Sequence, residues 1–119
     1  MPAIDCMFNS FYQTFIVLTA NGIRIHSAKD GRLLKFRFKE SDLHCMAFNI
    51  ANRKIYTGDG QGRISVLTAE GAIEIASTAI SVQSRLNNEI AAINPYYSLG
   101  NELMVVANWS GMIKVFKGN

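Results

Sequence analysis

Cysteine and proline are scarce in this sequence, with two of each in 119 residues, and there is a single tryptophan. Two cysteines, Cys6 and Cys45, make no disulfide framework, and the chain reads as one from a reducing, intracellular compartment. Long apolar runs are missing as well. The longest, Phe15–Leu18, is far too short to span a bilayer, so no membrane partner is expected. The start, Met1-Pro2-Ala3-Ile4-Asp5, has neither the basic residues nor the apolar core of a secretory signal. Charge of one sign is modest. A net charge of +3 and a pI near 9.0 fall well short of a polycationic tail. What remains is 49% hydrophobic and 18% charged, which excludes disorder and suits one compact domain.

Sets of residues that carry chemistry are also missing. The acids Asp5, Asp30, Glu40, Asp42, Asp59, Glu70, Glu74, Glu89 and Glu102 are scattered, mostly in turns, where such residues commonly serve turn geometry. No nucleophile, base and orienting group stand together, so the chain is not expected to be an enzyme. His26, His44 and the two cysteines lack the spacing of a metal site, although Cys6 and Cys45 fall at matching places where they could approach. Gly58-Asp59-Gly60-Gln61-Gly62 leads into an alternating segment rather than a helix, and no Lys-Ser/Thr follows it. It reads as a hairpin turn rather than a phosphate cradle. No cofactor is expected. Asn108-Trp109-Ser110 matches a glycosylation sequon, which has no meaning without a secretory route.

What is present is a repeat. Nine glycines sit mostly between short apolar runs, the punctuation of antiparallel strands. In Ser41–Leu67 the alternation is clearest, with Ile64 and Val66 on one face and Arg63 and Ser65 on the other. Strands are predicted at Ile4–Phe8, Thr14–Ala20, Ile23–His26 and Arg32–Phe38. A second set follows at Leu43–Phe48, Arg53–Thr57, Arg63–Leu67 and Ala72–Thr78. A looser third set comprises Glu89–Asn94, Glu102–Ala107 and Met112–Phe116, with longer loops at Ala79–Asn88 and Pro95–Asn101. Asn21-Gly22 is predicted to be a hairpin turn of the kind that needs positive φ. Phe8-Asn9 recurs as Phe48-Asn49, Gly22 as Gly62 and Gly31 as Gly71, each 40 positions on. Ile113 and Val115 take the places of Ile64 and Val66.

A period near 40 with four strands per repeat is that of a β-propeller blade. From about Ile4 to Phe116 the sequence resembles WD40-repeat proteins. The residues that carry the resemblance are Gly22–Leu34, Thr57–Val66 and Trp109–Phe116, which look like the family's glycine-turn, alternating-strand and Trp-Asp region. The Trp-Asp pair itself falls on His26-Ser27, Leu67-Thr68 and Phe116-Lys117 and is not kept in any copy. His26 is expected to pack in the place of the family's tryptophan. The expected fold is all-β, a partial β-propeller of four-stranded antiparallel blades: residues 4–38, residues 43–78, and an incomplete, three-stranded blade at residues 89–117. A closed propeller needs four to eight blades. The chain is therefore expected to be a piece of a longer propeller, or a unit whose copies close a ring.

The resemblance implies a protein-interaction scaffold without chemistry of its own, in the cytoplasm. The last two copies are similar to divergent WD-repeat proteins of cilia and cytoskeleton. The expected partners are other proteins, together with the remaining blades or further copies of the chain. Candidate contact residues lie in the loops of one face: Trp109, Asn108, Arg85, Asp59, Gln61, Lys39 and Asp42. Trp109 has two readings, a binding hot spot or a ring folded over its own blade. Two other functions stand as alternatives: a structural segment with no ligand, or a propeller that binds nucleic acid or another anionic partner. The stripe Lys35, Arg37 and Lys39, interleaved with Phe36 and Phe38, suits the last of these. The same residues also suit an outer edge strand charged against unwanted pairing.

Overall fold

A computed structural model describes residues 2–39, 42–80 and 88–117. The described residues form three antiparallel sheets, each a simple meander in chain order. The first blade is β1 (Ala3–Asn9), β2 (Thr14–Thr19), β3 (Gly22–Ser27) and β4 (Leu33–Phe38). The second is β5 (Leu43–Asn49), β6 (Lys54–Asp59), β7 (Arg63–Thr68) and β8 (Glu74–Ala79). The third is β9 (Ile90–Ser98), β10 (Asn101–Asn108) and β11 (Ile113–Lys117).

The blades stack through their faces. Alternation along each strand sends every second side chain forward to the next blade and the others back to the preceding one. Ile16, Leu18, Ile23 and Ile25 point forward from the first blade and meet Leu43, Met46, Ile55 and Leu67 of the second in one core. Tyr56, Ile64 and Val66 point forward from the second blade and meet Ile90, Ile93, Met104 and Val106 of the third in another. The core is therefore two interblade layers, and each blade is incomplete without a neighbour.

Three expectations need correction. The first is the uniform 40-residue offset. It holds from β1 to β2, as Asn9 and Asn49 show: each side-chain oxygen accepts from the backbone N–H two residues on, Phe11 or Ala51, at 3.0 Å. The β2–β3 turn then gains a residue in the second blade, and from β3 the offset is 41. Gly31 N–H bonds Ser27 O at 2.8 Å, and its counterpart is Ala72, whose N–H bonds Thr68 O at 2.9 Å. The left-handed backbone accordingly falls on Gly31 (φ 77) and Ala72 (φ 53), and not on Gly71.

The second concerns Asn21-Gly22, which does not take positive φ; Gly62 does, at 88°. Gly22 is small for another reason. A Cβ there would run into the backbone oxygen of Arg37 and the ring of Phe36 on β4. The third concerns Pro95–Asn101. Most of that stretch is strand. Tyr96 and Tyr97, good strand formers, pair with Leu103 and Glu102. The connection shrinks to Leu99 (φ 50) and Gly100 (φ 76), both left-handed as a tight hairpin turn requires. Pro95 is tolerated because β9 lies at the edge of its sheet.

The same position in successive blades has very different surroundings. Ile23 and Ile25, then Ile64 and Val66, are covered by the blade that follows. Their counterparts Ile113 and Val115 are 70% and 53% exposed. At the other end Phe15 is 38% exposed, whereas its counterpart Ile55 is 0% exposed. Phe8, Phe15, Cys6 and Val17 thus make an open face at one end of the stack, and Val105, Ile113 and Val115 make one at the other.

Candidate functional site

The β2–β3, β6–β7 and β10–β11 turns lie on one face with the strand entries at Leu43, Asp42 and Glu89. Each turn is built around the last residue of its second strand. Asp59 Oδ1 accepts from Gln61 N–H and Arg63 N–H, both at 2.9 Å. Asn108 Oδ1 accepts from Met112 N–H at 2.8 Å and from the Ser110 hydroxyl at 2.9 Å. In the first blade Thr19 Oγ1 plays the corresponding part, donating between Asn21 Oδ1 at 2.9 Å and Gly22 O at 3.2 Å. Asp59 and Asn108 are buried by this role. The Oδ1 atom of each is engaged in its own turn.

Each turn is also pinned to the strand entry beside it. Gly60 N–H bonds Asp42 O at 2.8 Å, and Trp109 N–H bonds Glu89 O at 3.0 Å. Gly60 and Trp109 occupy the same turn position, as do Asp42 and Glu89 at the strand entries. Across the first pair of blades, Leu43 N–H bonds Ala20 O at 2.9 Å. The face is a rigid platform of backbone bonds, and the side chains on it are carried at fixed places.

Two pockets open on this platform. One, of about 380 Å³, lies where the first strands of all three blades begin, and Trp109, Asp42, His44, Ile4 and Ile90 line it. Trp109 is 69% exposed, so its ring is not folded over its blade. His44 Nε2 lies 3.2 Å from Asp42 Oδ2. The other pocket, of about 600 Å³, lies further out between the first two blades and is lined by Lys39, Asp59, Gln61, Arg63, Ser65 and Glu74. Lys39 Nζ sits 2.5 Å from Glu74 Oε1 and 3.3 Å from Ser65 Oγ. The Lys39 hydrogen bond holds the Glu74 carboxyl below its ordinary pKa. Of the seven expected contact residues, Trp109 and Asp42 thus share one pocket, and Lys39, Asp59 and Gln61 share the other. Arg85 lies outside the described residues.

The other residues singled out in the sequence have structural partners. Arg37 Nε donates to Ala72 O of the next blade at 2.9 Å. Lys39, just past β4, is engaged with Glu74 and Ser65 as well, so Arg37 and Lys39 of the basic stripe both tie the first blade to the second. His26 is half-buried, and its Nδ1 meets Gly31 O at 2.9 Å, which closes the β3–β4 turn. Cys6 lies on the open face of the first blade, while Cys45 packs against the core between the second and third, so the two do not meet. Burial pushes the Cys45 thiol up to about 11.

A polar cluster between the second and third blades was not foreseen. Glu102 Oε1 accepts from Lys54 Nζ at 2.7 Å, Asn52 Nδ2 at 2.6 Å and Tyr56 OH at 3.3 Å. Burial alone would raise the Glu102 pKa. The bonds from Lys54 and Asn52 outweigh it, and the net shift is downward. Lys54 and Glu102 are 48 positions apart, and only the blade stacking brings them together.

No family model matches the chain, and no curated protein matches it. Among solved structures it is similar to the crystal structure of BBS1N in complex with ARL6DN, soaked with mercury. The TM-score is 0.74 at 17% identity, over 97% of this chain and 36% of that one. The chain thus spans about a third of the length of the structure it matches. The likeness is one of fold, and it identifies the stack of sheets as part of a β-propeller.

Proposed function

We propose that this chain is a segment of a divergent WD40-like propeller that serves as a protein–protein interaction scaffold in the cytoplasm, with no chemistry of its own. Partner proteins are contacted through the turn-bearing face by Trp109, Asp42, Gln61 and Lys39. The end faces, around Phe8 and Phe15 and around Ile113 and Val115, take further blades. The observation that carries the reading is Trp109: a large aromatic ring, mostly exposed, on a turn whose backbone is fixed. A preorganised aromatic costs little entropy to bury, which suits a binding anchor. The structural neighbour supports the reading, since there BBS1N is in complex with ARL6DN.

The test is affinity capture of partners by the intact protein and two variants. Trp109→Ala should reduce capture without changing thermal stability. Leu99→Ala, at a fully exposed turn on the opposite face, should leave both unchanged. Retained capture in Trp109→Ala, or equal loss in Leu99→Ala, would overturn the reading.

A further inference from the structure

The pocket that holds Trp109 has a chemistry of its own. At the equivalent turn position the first two blades carry Ala20 and Gly60, and only the third carries a large ring. Gly60 lets His44 close in: a Cβ on Gly60 would stand only 3.1 Å from His44 Nε2. Trp109 lines the pocket with Asp42 and His44. Among the described residues, neither a ring nor a cation lies over it.

Asp42 lines the same pocket; its side chain is 72% exposed and its single described side-chain bond is to His44. Its second oxygen faces solvent without a described hydrogen bond. Glu89 holds the equivalent strand-entry position in the third blade but does not line the pocket, so the acid of the site is Asp42. The ammonium group of Lys39 does not neutralise it, being committed to Glu74 and Ser65 in the outer pocket. On a chain of net charge +3, this is a local acidic spot beside an open aromatic face.

The geometry points to a pocket for an arginine side chain presented by a partner protein. A guanidinium is planar and weakly hydrated, so it can stack on the indole while its forked N–H groups reach the Asp42 carboxylate. Ile4 and Ile90 would line the arginine's aliphatic stem. This assignment rests on the scaffold reading and adds the partner's chemistry to it.

The chain has a single tryptophan, so both the indole emission and the one indole N–H resonance report on this pocket. The probe is the capped peptide acetyl-Gly-Arg-Gly-amide, titrated into the folded chain. A saturable change with a Kd on the order of 1 mM is expected. The citrulline peptide, which has the same shape without the charge, should give none. Asp42→Asn should weaken the arginine peptide about tenfold. The lysine peptide, which lacks the planar fork, should bind about threefold more weakly.

Equal response to citrulline, an unchanged Kd in Asp42→Asn, lysine binding as tightly as arginine, or no saturable change would each overturn the assignment. The scaffold reading fails separately. If Trp109→Ala loses captured partners while the arginine peptide does not bind, the scaffold stands and the arginine pocket falls. If the peptide binds but Trp109→Ala captures every partner, the scaffold falls.

Discussion

Gly58→Ala puts the smallest possible side chain into the seam between the second and third blades. Gly58 lies in β6, where the sequence suggests a turn glycine. An ideal Cβ there would stand 2.5 Å from Ile90 Cβ and 2.9 Å from Cys45 Sγ. Carbon atoms pack at about 3.5–4.0 Å, so Ile90 would have to retreat by about 1 Å. Ile90 is fully buried and cannot swing into solvent. Either β9 slides away from β6 or side chains leave their rotamers, and overpacking of this kind costs about 1–3 kcal/mol. For a domain of this size, that lowers Tm by roughly 4–12 °C. The assay is thermal and urea unfolding followed by far-UV circular dichroism, with Gly71→Ala as the control. Gly71 has negative φ, and its nearest neighbours, Ile73 Cδ1 and Cγ1, are at 3.5 Å, an ordinary contact. The control should stay within about 0.5 kcal/mol of the parent. If Gly58→Ala is equally silent, the seam is not packed as described and the reasoning is refuted.

Glu102 ionises more readily folded than unfolded, so its contribution is present above the ordinary value of 4.5 and is lost as pH falls through the lower folded pKa. Unfolding free energy measured below pH 4.5 should fall less steeply in Glu102→Gln than in the parent. Cys6, which is exposed, should be alkylated by iodoacetamide within minutes at pH 8. Cys45, with its thiol pushed up to about 11, should be modified only on unfolding; mass spectrometry of tryptic peptides distinguishes them. Trp109→Ala should change unfolding free energy by less than about 0.5 kcal/mol, since the ring covers little of its own blade.

The strands were legible because burial follows alternation. Ile64 and Val66 announce a strand in the sequence, and so do Ile113 and Val115, although only the first pair is covered. Pattern reports which face is apolar, and it is silent on what lies against that face. The glycines misled in two ways. Gly22 is small because β4 crosses close to it, and Gly58 because β9 does, yet a sequence shows a glycine next to polar residues and suggests a turn. A one-residue insertion in the β6–β7 turn stayed hidden because Gly62 and Gly71 happen to fall 40 positions after Gly22 and Gly31.

At the candidate site the sequence gathers the chosen residues on the turn-bearing face but does not sort inward from outward. Asp59 and Trp109 both lie on the turn-bearing face, and one builds its turn while the other is largely exposed. The pairing of Asp42 with His44 had a local signal, a spacing of two at a strand entry, that puts one residue beside the other once the Gly60 turn closes over them. The Lys54–Glu102 cluster had no such signal, since its members meet only through the stacking of two blades.

The central claim is that both end faces are blade interfaces in need of covering, and sedimentation equilibrium of the 119-residue chain across a range of concentrations tests it most directly. The account expects concentration-dependent association that is weakened when Ile113→Lys and Val115→Lys charge one end face. A monomer that stays monomeric and stable at every concentration, indifferent to those substitutions, would contradict it.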